Sequence, residues 1–475
     1  MKNEDIFDAI GNIGEDMISD AASGIKKRNY KRVAIIAASV LLVACIGIFP
    51  VWHLLNPANS GGNASSGHEY MYYGGPVLPL DVLSGADRLT ADRHITYDIN
   101  NRGDGGIDSR VTDSYRLKNT SDTADTFLFS YPYSGTLDDS LENVPSITVD
   151  GVSVTPRIHI GNKRIGKGRA ESFVDYKSAL ADGEYRADAY KEEAYREQKV
   201  TVYEINGYGI KGEGDNPTLK FSFEMDHTKS SVLTYGMNGG IFSPEDGRYA
   251  RWFSVPAPGE YGYGRSYYII IIGEDIKDYT LQGYEDGGCD KGEEIEITAL
   301  VTRREADLLE TVSSLVEFGN NGEEPKYLTD TLSEDMKREL IWRELETGQE
   351  NGSPIIEGSV EGIYSSIIRR ERVIYLDFEA EIPQGKSVNV TASFLKRGHE
   401  DFVGDEPYRY GYDMATALET DIALTSVKAT LVLSDDLRIL RQNFGFDPEN
   451  GALSVALDAS VEYYYIDIGF KNTKK

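Results

Sequence analysis

The chain has 475 residues, 40% of them hydrophobic and 11% aromatic, which is enough to build packed cores and excludes disorder as the default state. Its formal net charge is −29, and such a surface repels nucleic acid, whose binding needs basic patches. The length exceeds one ordinary domain.

Residues 1–32 hold six acids and six bases and sum to zero. Ile6, Ile10, Ile13 and Met17 recur at the helical period, with Asp5, Asp8, Glu15 and Asp16 off the stripe, so a short amphipathic helix is expected. Gly11 and Gly14 each cost about 1 kcal/mol relative to Ala, which leaves that helix marginal on its own. A marginal amphipathic helix needs another surface, so residues 1–25 read either as a membrane-proximal spacer with targeting charges or as a helix that meets a cytoplasmic protein partner. Lys26-Lys27-Arg28-Asn29-Tyr30-Lys31-Arg32 then places five bases in seven residues.

Residues 33–52, VAIIAASVLLVACIGIFPVW, carry no charge over twenty positions, and a bilayer core needs roughly 20 apolar helical residues. No Lys or Arg follows until Arg88. The asymmetry predicts a transmembrane helix over 33–55, in contact with lipid, with 1–32 cytoplasmic and the bulk of the chain outside. Leu42-Val43-Ala44-Cys45 spells a lipobox, but the long charged leader and the apolar run beyond Cys45 favour an uncleaved anchor. Cys289 is the one cysteine after the anchor, so no internal disulfide is available to the outer region. An exported chain built this way suits a Gram-positive or anaerobic envelope.

The acidic amphipathic arm, basic cluster and Ala-rich apolar helix together resemble the N-termini of uncharacterised clostridial single-pass membrane proteins, some of which are similar to anti-sigma factors. The resemblance covers about the first 50 residues and implies a signalling role for the arm. Residues 1–32 contain neither His nor Cys, so sigma-factor binding through a metal-stabilised fold is not implied; a bare helix would make the contact.

Asn56–Gly67, NPANSGGNASSG, reads as a flexible tether, within an extracytoplasmic linker expected over 56–84. Tyr70-Met71-Tyr72-Tyr73 is expected to pack the end of that tether against the first domain. A β-rich domain is predicted over 85–300, with strands in RHITYDI, SRVTDSYRLKNT, TADTFLFSYPY, SITVDGVSV, KVTVYEI, LKFSFEM, RWFSV and SYYIIIIG. Asp150-Gly151 marks a hairpin, and Tyr267–Ile272 reads as a buried central strand. Polar helix formers over 172–198 predict a helical insertion. An α+β domain is predicted over 301–475. Leu308, Leu309, Val312, Leu315 and Val316 share one helical face in RREADLLETVSSLVEF. Leu332, Met336, Leu340, Ile341 and Leu345 share one in the next segment, with Thr331 and Glu334 spaced as a capping box. Strands then resume in RVIYLDFEAEI, KSVNVTASFL, SVKATLVLS, ALSVAL and VEYYYIDIGF. The fold class is thus α+β and β-rich, a single N-terminal transmembrane helix followed by two sandwich-like extracytoplasmic units with short helical insertions.

No catalytic set assembles from the sequence. Gly161–Gly168 fits GxxxxGK but has Gly168 where a phosphate loop needs Ser or Thr, so Lys163, Arg164, Lys167 and Arg169 read as a basic loop. The six His, at 53, 68, 94, 159, 227 and 399, lack metal-ligand spacing. The sole SxxK, Ser23 to Lys26, lies on the cytoplasmic side, and acidic neighbours would raise the Cys289 thiol. Asn100–Asp108 and Glu285–Glu296 mix acids with Gly but lack the EF-hand order, which leaves calcium open and names no metal ligand. Arg102-Gly103-Asp104 is an adhesion tripeptide only by spelling. The expectation is a non-enzymatic envelope protein without cofactor or nucleic acid, whose outer region binds a protein or cell-wall ligand. A membrane-tethered cell-wall hydrolase using carboxylates is the runner-up, and a purely structural envelope component the third reading.

Overall fold

The computed structural model describes residues 73–471, except 104–105, 162–164, 166–168, 182–196, 212–213, 244, 317, 319–326, 351–357 and 402–408. Residues 1–72, over which the arm, the membrane helix and the tether are expected, lie outside the described residues, as do Lys163, Arg164 and Lys167. Among the described residues no helix is long and apolar enough to cross a membrane.

From its amino side the chain forms β1 (Asp81–Val82), β2 (Leu89–Gly103), β3 (Gly106–Asn119), β4 (Asp125–Gly135), β5 (Ser146–Val149), β6 (Val152–Val154), β7 (Arg157–Ile160) and helix α1 (Arg169–Ala181). The middle supplies β8 (Lys199–Lys211), β9 (Thr218–Glu224), β10 (Ser230–Tyr235), β11 (Gly239–Ser243), β12 (Arg248–Ser254), β13 (Tyr267–Gly273), β14 (Tyr279–Tyr284) and β15 (Glu294–Asp307). Then come α2 (Leu308–Leu315), α3 (Glu334–Glu350), β16 (Gly358–Ser359) and α4 (Val360–Arg369). The C-terminal part adds β17 (Arg372–Ile382), β18 (Ser387–Arg397), β19 (His399–Asp401), β20 (Arg409–Ala415), β21 (Ala423–Leu433), β22 (Leu437–Gln442), β23 (Ser454–Leu457) and β24 (Tyr463–Phe470).

Alternation decides how these strands face. In β3 the odd positions Ile107, Val111, Tyr115 and Leu117 are buried, and in β18 the even positions Val388, Val390, Ala392 and Phe394 are. Both lie in a seven-stranded sheet ordered β23-β21-β2-β3-β18-β5-β6. Its apolar face meets two four-stranded sheets, β1-β4-β17-β7 and β19-β20-β24-β22. Tyr131 of β4 packs edge-on to Phe394 of β18, and Tyr97 of β2 donates to the Asp413 carbonyl of β20. Strand β17 is covered on both faces. Ile374, Leu376 and Phe378 enter the main core, while Val373 and Tyr375 join Tyr176 and Ala179 of α1 in a small separate core. A near-continuous apolar run is what two covered faces require.

The middle segment forms a nine-stranded sheet, β11-β12-β9-β14-β15-β8-β13-β10-β16. It folds back on itself because the 14-residue β15 serves two partners. Its first residues pair with β14 (Glu294 opposite Tyr284), and from Glu296 onward it pairs with β8. The two halves then stack, with Phe253 against Tyr267 at 3.5 Å between ring centroids and Tyr203 near Phe221 at 5.9 Å. The other face of β8-β13-β10, with Val200, Val202, Leu233 and Ile270, packs with Leu308, Leu309 and Val312 of α2, Leu340 and Leu345 of α3, and Ile367 of α4.

Several expectations are met. Asp150 and Gly151 have φ of 49° and 80° in the β5–β6 hairpin, the backbone that the Asp-Gly pair favours. Tyr267–Ile272 lies in β13 between β8 and β10, and α1 opens the helical insertion. Others are corrected. The boundary at 300/301 does not separate the sheets, because β4 pairs with β17 over eleven positions and β2 runs parallel to β21. Residues 199–359 are instead inserted between the two parts of the first set of sheets, and 68–475 form one compact unit. The linker 56–84 is too long, since Val77, Leu78 and Leu80 are buried. Arg303–Asp307 are strand rather than helix, held by pairing with β8, and Asp307 caps α2 by accepting from the Glu310 N–H. The α3 cap is Ser333, whose hydroxyl accepts from Met336, while Thr331 ends a short 3-10 turn.

Candidate functional site: an open sheet face and a buried strap

Strands β11, β12, β9 and β14 bury one face through Phe221, Phe223, Tyr249 and Phe253. Their alternate residues therefore point outward. Cross-strand register aligns Ile241, Ala250, Ser222 and Thr280 in one row, and Gly239, Trp252, Lys220 and Gln282 in the next. The first row is a floor of mostly small side chains beneath a groove of about 1110 Å³. At its far end the groove is charged, with Arg248 paired to Asp246 and Lys229 3.2 Å from Glu274. Hydrogen bonds from Arg248 and Ser243 hold the Asp246 carboxyl down to about 2, so it is ionised throughout the physiological range.

The second row is shaped by Gly239. A Cβ there would lie 2.1 Å from Trp252 Nε1 and 2.3 Å from Cε2, so the indole rests on the glycine backbone. Lys220 Nζ lies over that ring at 5.6 Å from its centroid and over the Tyr284 ring at 5.7 Å. Gln282 is exposed, and its Nε2 donates to the Gly283 carbonyl. None of these residues stands out in the sequence alone. The available signal was the Gly239-Gly240 pair inside a strand, which marks a close approach by another group.

A second polar constellation is buried and surrounds residues 73–82. Tyr73 stacks on His399 at 4.1 Å and donates to Asp413 Oδ2 at 2.9 Å, and Tyr463 donates to the same oxygen. His399 Nε2 lies 3.0 Å from Asp413 Oδ2. The Gly74 carbonyl accepts from Lys396 Nζ at 2.6 Å and from Ser134 Oγ at 2.8 Å. Tyr176 donates to Glu371 at 2.9 Å. Desolvation pushes the Glu371 carboxyl up, helped by Asp139, and pushes the Lys396 ammonium down, opposed by Glu371. Further along, the Leu80 N–H donates to Tyr115 Oη, and Arg93 reaches Leu78, Ala415 and Thr416 carbonyls while forming a two-point ion pair with Asp113. Tyr73 is thus packed against the fold, but its ring and hydroxyl meet His399 and Asp413, on strands expected in the second domain and not the first, and residues 70–72 lie outside the described residues.

The other sequence-selected residues do not converge. His94 bonds Thr430, His159 lies 3.3 Å from Asp377, and His227 sits near Phe242. Among the described residues no group of three or more His, Cys, Asp or Glu is placed to hold a metal ion. Within Glu285–Glu296, Cys289 occupies a left-handed turn at φ 53°. Burial raises its thiol, with Asp286 and Asp290 adding to the rise and Lys220 opposing it. Asn100–Asp108 forms the β2–β3 hairpin end, where Gly103 pairs with Gly106. Gly161 is wedged against the Val373 carbonyl, 2.5 Å from where a Cβ would sit, and most of the basic loop that follows lies outside the described residues. No family model and no curated protein matches this chain.

Proposed function

We propose that this chain is a single-pass envelope protein, cytoplasmic over 1–32, anchored by 33–55, with a β-rich, sandwich-like region outside, and that it acts by binding rather than catalysis. The ligand surface is the groove over Ser222, Ala250 and Thr280. The observation that carries this reading is that groove: a sheet face with a small-residue floor, bounded by an aromatic row at one end and paired charges at the other. The charge asymmetry around 33–52 supports the orientation, and the lack of a second cysteine after the anchor supports a Gram-positive setting. The strap supports the tethering role, since it joins the membrane-proximal residues to strands from both ends of the outer region.

Carboxylate hydrolysis finds its best pair in Asp139 and Glu371, both pushed up by burial. Asp139 accepts from the Thr136 N–H and hydroxyl, Glu371 accepts from Tyr176, and neither lines the groove. Binding is therefore the better reading. The test is co-sedimentation of the full chain, in detergent, with purified Gram-positive cell walls. Sedimentation should be lost in Ser222→Trp, which fills the floor, with the thermal transition kept. Equal sedimentation of both proteins, or none of either, would overturn the reading, as would release of wall fragments with turnover.

A further inference from the structure

Resting on the reading of this sheet face as the ligand surface, we propose that Trp252, Lys220, Gln282 and Tyr284 form a saccharide subsite that takes an uncharged pyranose unit of a glycan. Three features of the row point to that chemistry. The indole rests on the backbone of Gly239, which has no side chain to lift it, and its ring face, over which the flexible Lys220 ammonium stands, is a partner for the C–H face of a pyranose. The flanking polar groups are of opposite hydrogen-bonding type. Lys220 Nζ donates, whereas Gln282 engages its own amide nitrogen with the Gly283 carbonyl and so offers its Oε1 outward. A sugar hydroxyl both donates and accepts, and adjacent hydroxyls on one ring edge meet both demands.

Charge selects among glycans. The groove beside this row is lined by Glu224, Asp226, Asp246, Glu274, Asp275 and Asp278 against four bases, and the whole chain carries −29. A polyanionic glycan would be repelled by that field, and a neutral one would not. The groove floor next to the row, Ser222, Ala250 and Thr280, leaves space for the adjoining sugar units along the same face.

The experiment titrates the full chain in detergent with chito-oligosaccharides and cello-oligosaccharides, following tryptophan emission and the alkylation rate of Cys289. That thiol lies within the electrostatic reach of Lys220 and Tyr284, so occupation of the row should slow its alkylation. Saturable changes in both readouts are expected with at least one series. Trp252→Ala should weaken binding by about tenfold or more, the equivalent of about 1.4 kcal/mol. Gly239→Ala keeps the indole but tilts it off the sheet, and should also weaken binding; Trp252→Tyr should restore part of the affinity lost in Trp252→Ala. Wall co-sedimentation that depends on Ser222 while neither oligosaccharide moves either readout would overturn the saccharide assignment and leave the ligand surface standing. Saturation by a proline-rich peptide but not by sugars would also overturn it, in favour of a peptide ligand. Loss of both sedimentation and sugar binding would remove the underlying reading as well.

Discussion

Gly74 donates its backbone N–H to His399 Nδ1 at 2.9 Å across 325 residues of sequence. On its other side the Gly74 carbonyl takes Lys396 and Ser134, so one residue is held through both its backbone groups by side chains from β4, β18 and β19. Buried polar groups of this kind stabilise only while every partner is present.

Gly75 sits at the tightest point of the strap. Its φ is +66°, and a Cβ would lie 2.2 Å from Tyr176 Oη and 2.5 Å from Ser134 Oγ. Gly75→Ala should therefore destabilise by about 1–3 kcal/mol through backbone strain and overpacking. Limited proteolysis should show new cleavage near residues 73–82 before the rest of the fold is cut. An unchanged digestion pattern would mean that the strap is not locked at Gly75.

Arg93 and Asp113 are both fully buried and bonded at two points, 3.0 and 2.8 Å. Asp113→Ala leaves a guanidinium shut away from water without its counter-charge, and should cost about 3–5 kcal/mol. The double variant Arg93→Met/Asp113→Leu should recover only part of that loss, because it removes the unpaired charge but leaves the Leu78, Ala415 and Thr416 carbonyls without Arg93 and the Tyr115 and Tyr131 hydroxyls without Asp113. Urea midpoints of the three proteins test the ordering.

Glu371 gives a pH-dependent term whose sign follows from its raised pKa. The folded protein holds the proton more tightly than the unfolded chain, so this group's contribution is intact at and below its ordinary value of 4.5 and declines as pH rises toward neutrality. Glu371→Gln mimics the protonated form. Its stability relative to the parent should thus grow by on the order of 1 kcal/mol between pH 5 and pH 8. A constant difference between the two proteins across that range would show that Glu371 is not desolvated.

Local pattern carried much of the strand inventory, because alternation and β-branched runs report directly on half-buried faces. The Ile-rich core of β13 and the Asp-Gly hairpin were legible for that reason. Partner choice was not, since nothing in SVKATLVLS says that β21 will lie parallel to β2. Arg303–Asp307 looked helical by composition, yet pairing with Tyr203, Val202 and their neighbours on β8 holds them extended. Lys396 and Arg93 fall at core-facing positions of their strands, where a charge breaks the pattern and signals a buried partner that sequence cannot name. Trp252 was invisible for a different reason: its orientation is set by a glycine on the neighbouring strand.

Cys289 allows orientation and thiol chemistry to be read in one measurement. Of the two cysteines, Cys45 falls within the apolar run expected to lie in lipid, which leaves Cys289 as the thiol open to aqueous reagents. If residues 56–475 lie outside the membrane, a membrane-impermeant maleimide should label intact cells at Cys289, and Cys289→Ser should abolish the label. The rate should be slow at neutral pH and rise steeply on the alkaline side, because burial and the neighbouring Asp286 and Asp290 lift the thiol above its ordinary 9.0 and the thiolate is the reacting form. A label that appears only after the cells are permeabilised would place the acidic bulk inside. The cell-wall ligand would then be lost with it, since the groove and the wall would lie on opposite sides of the membrane.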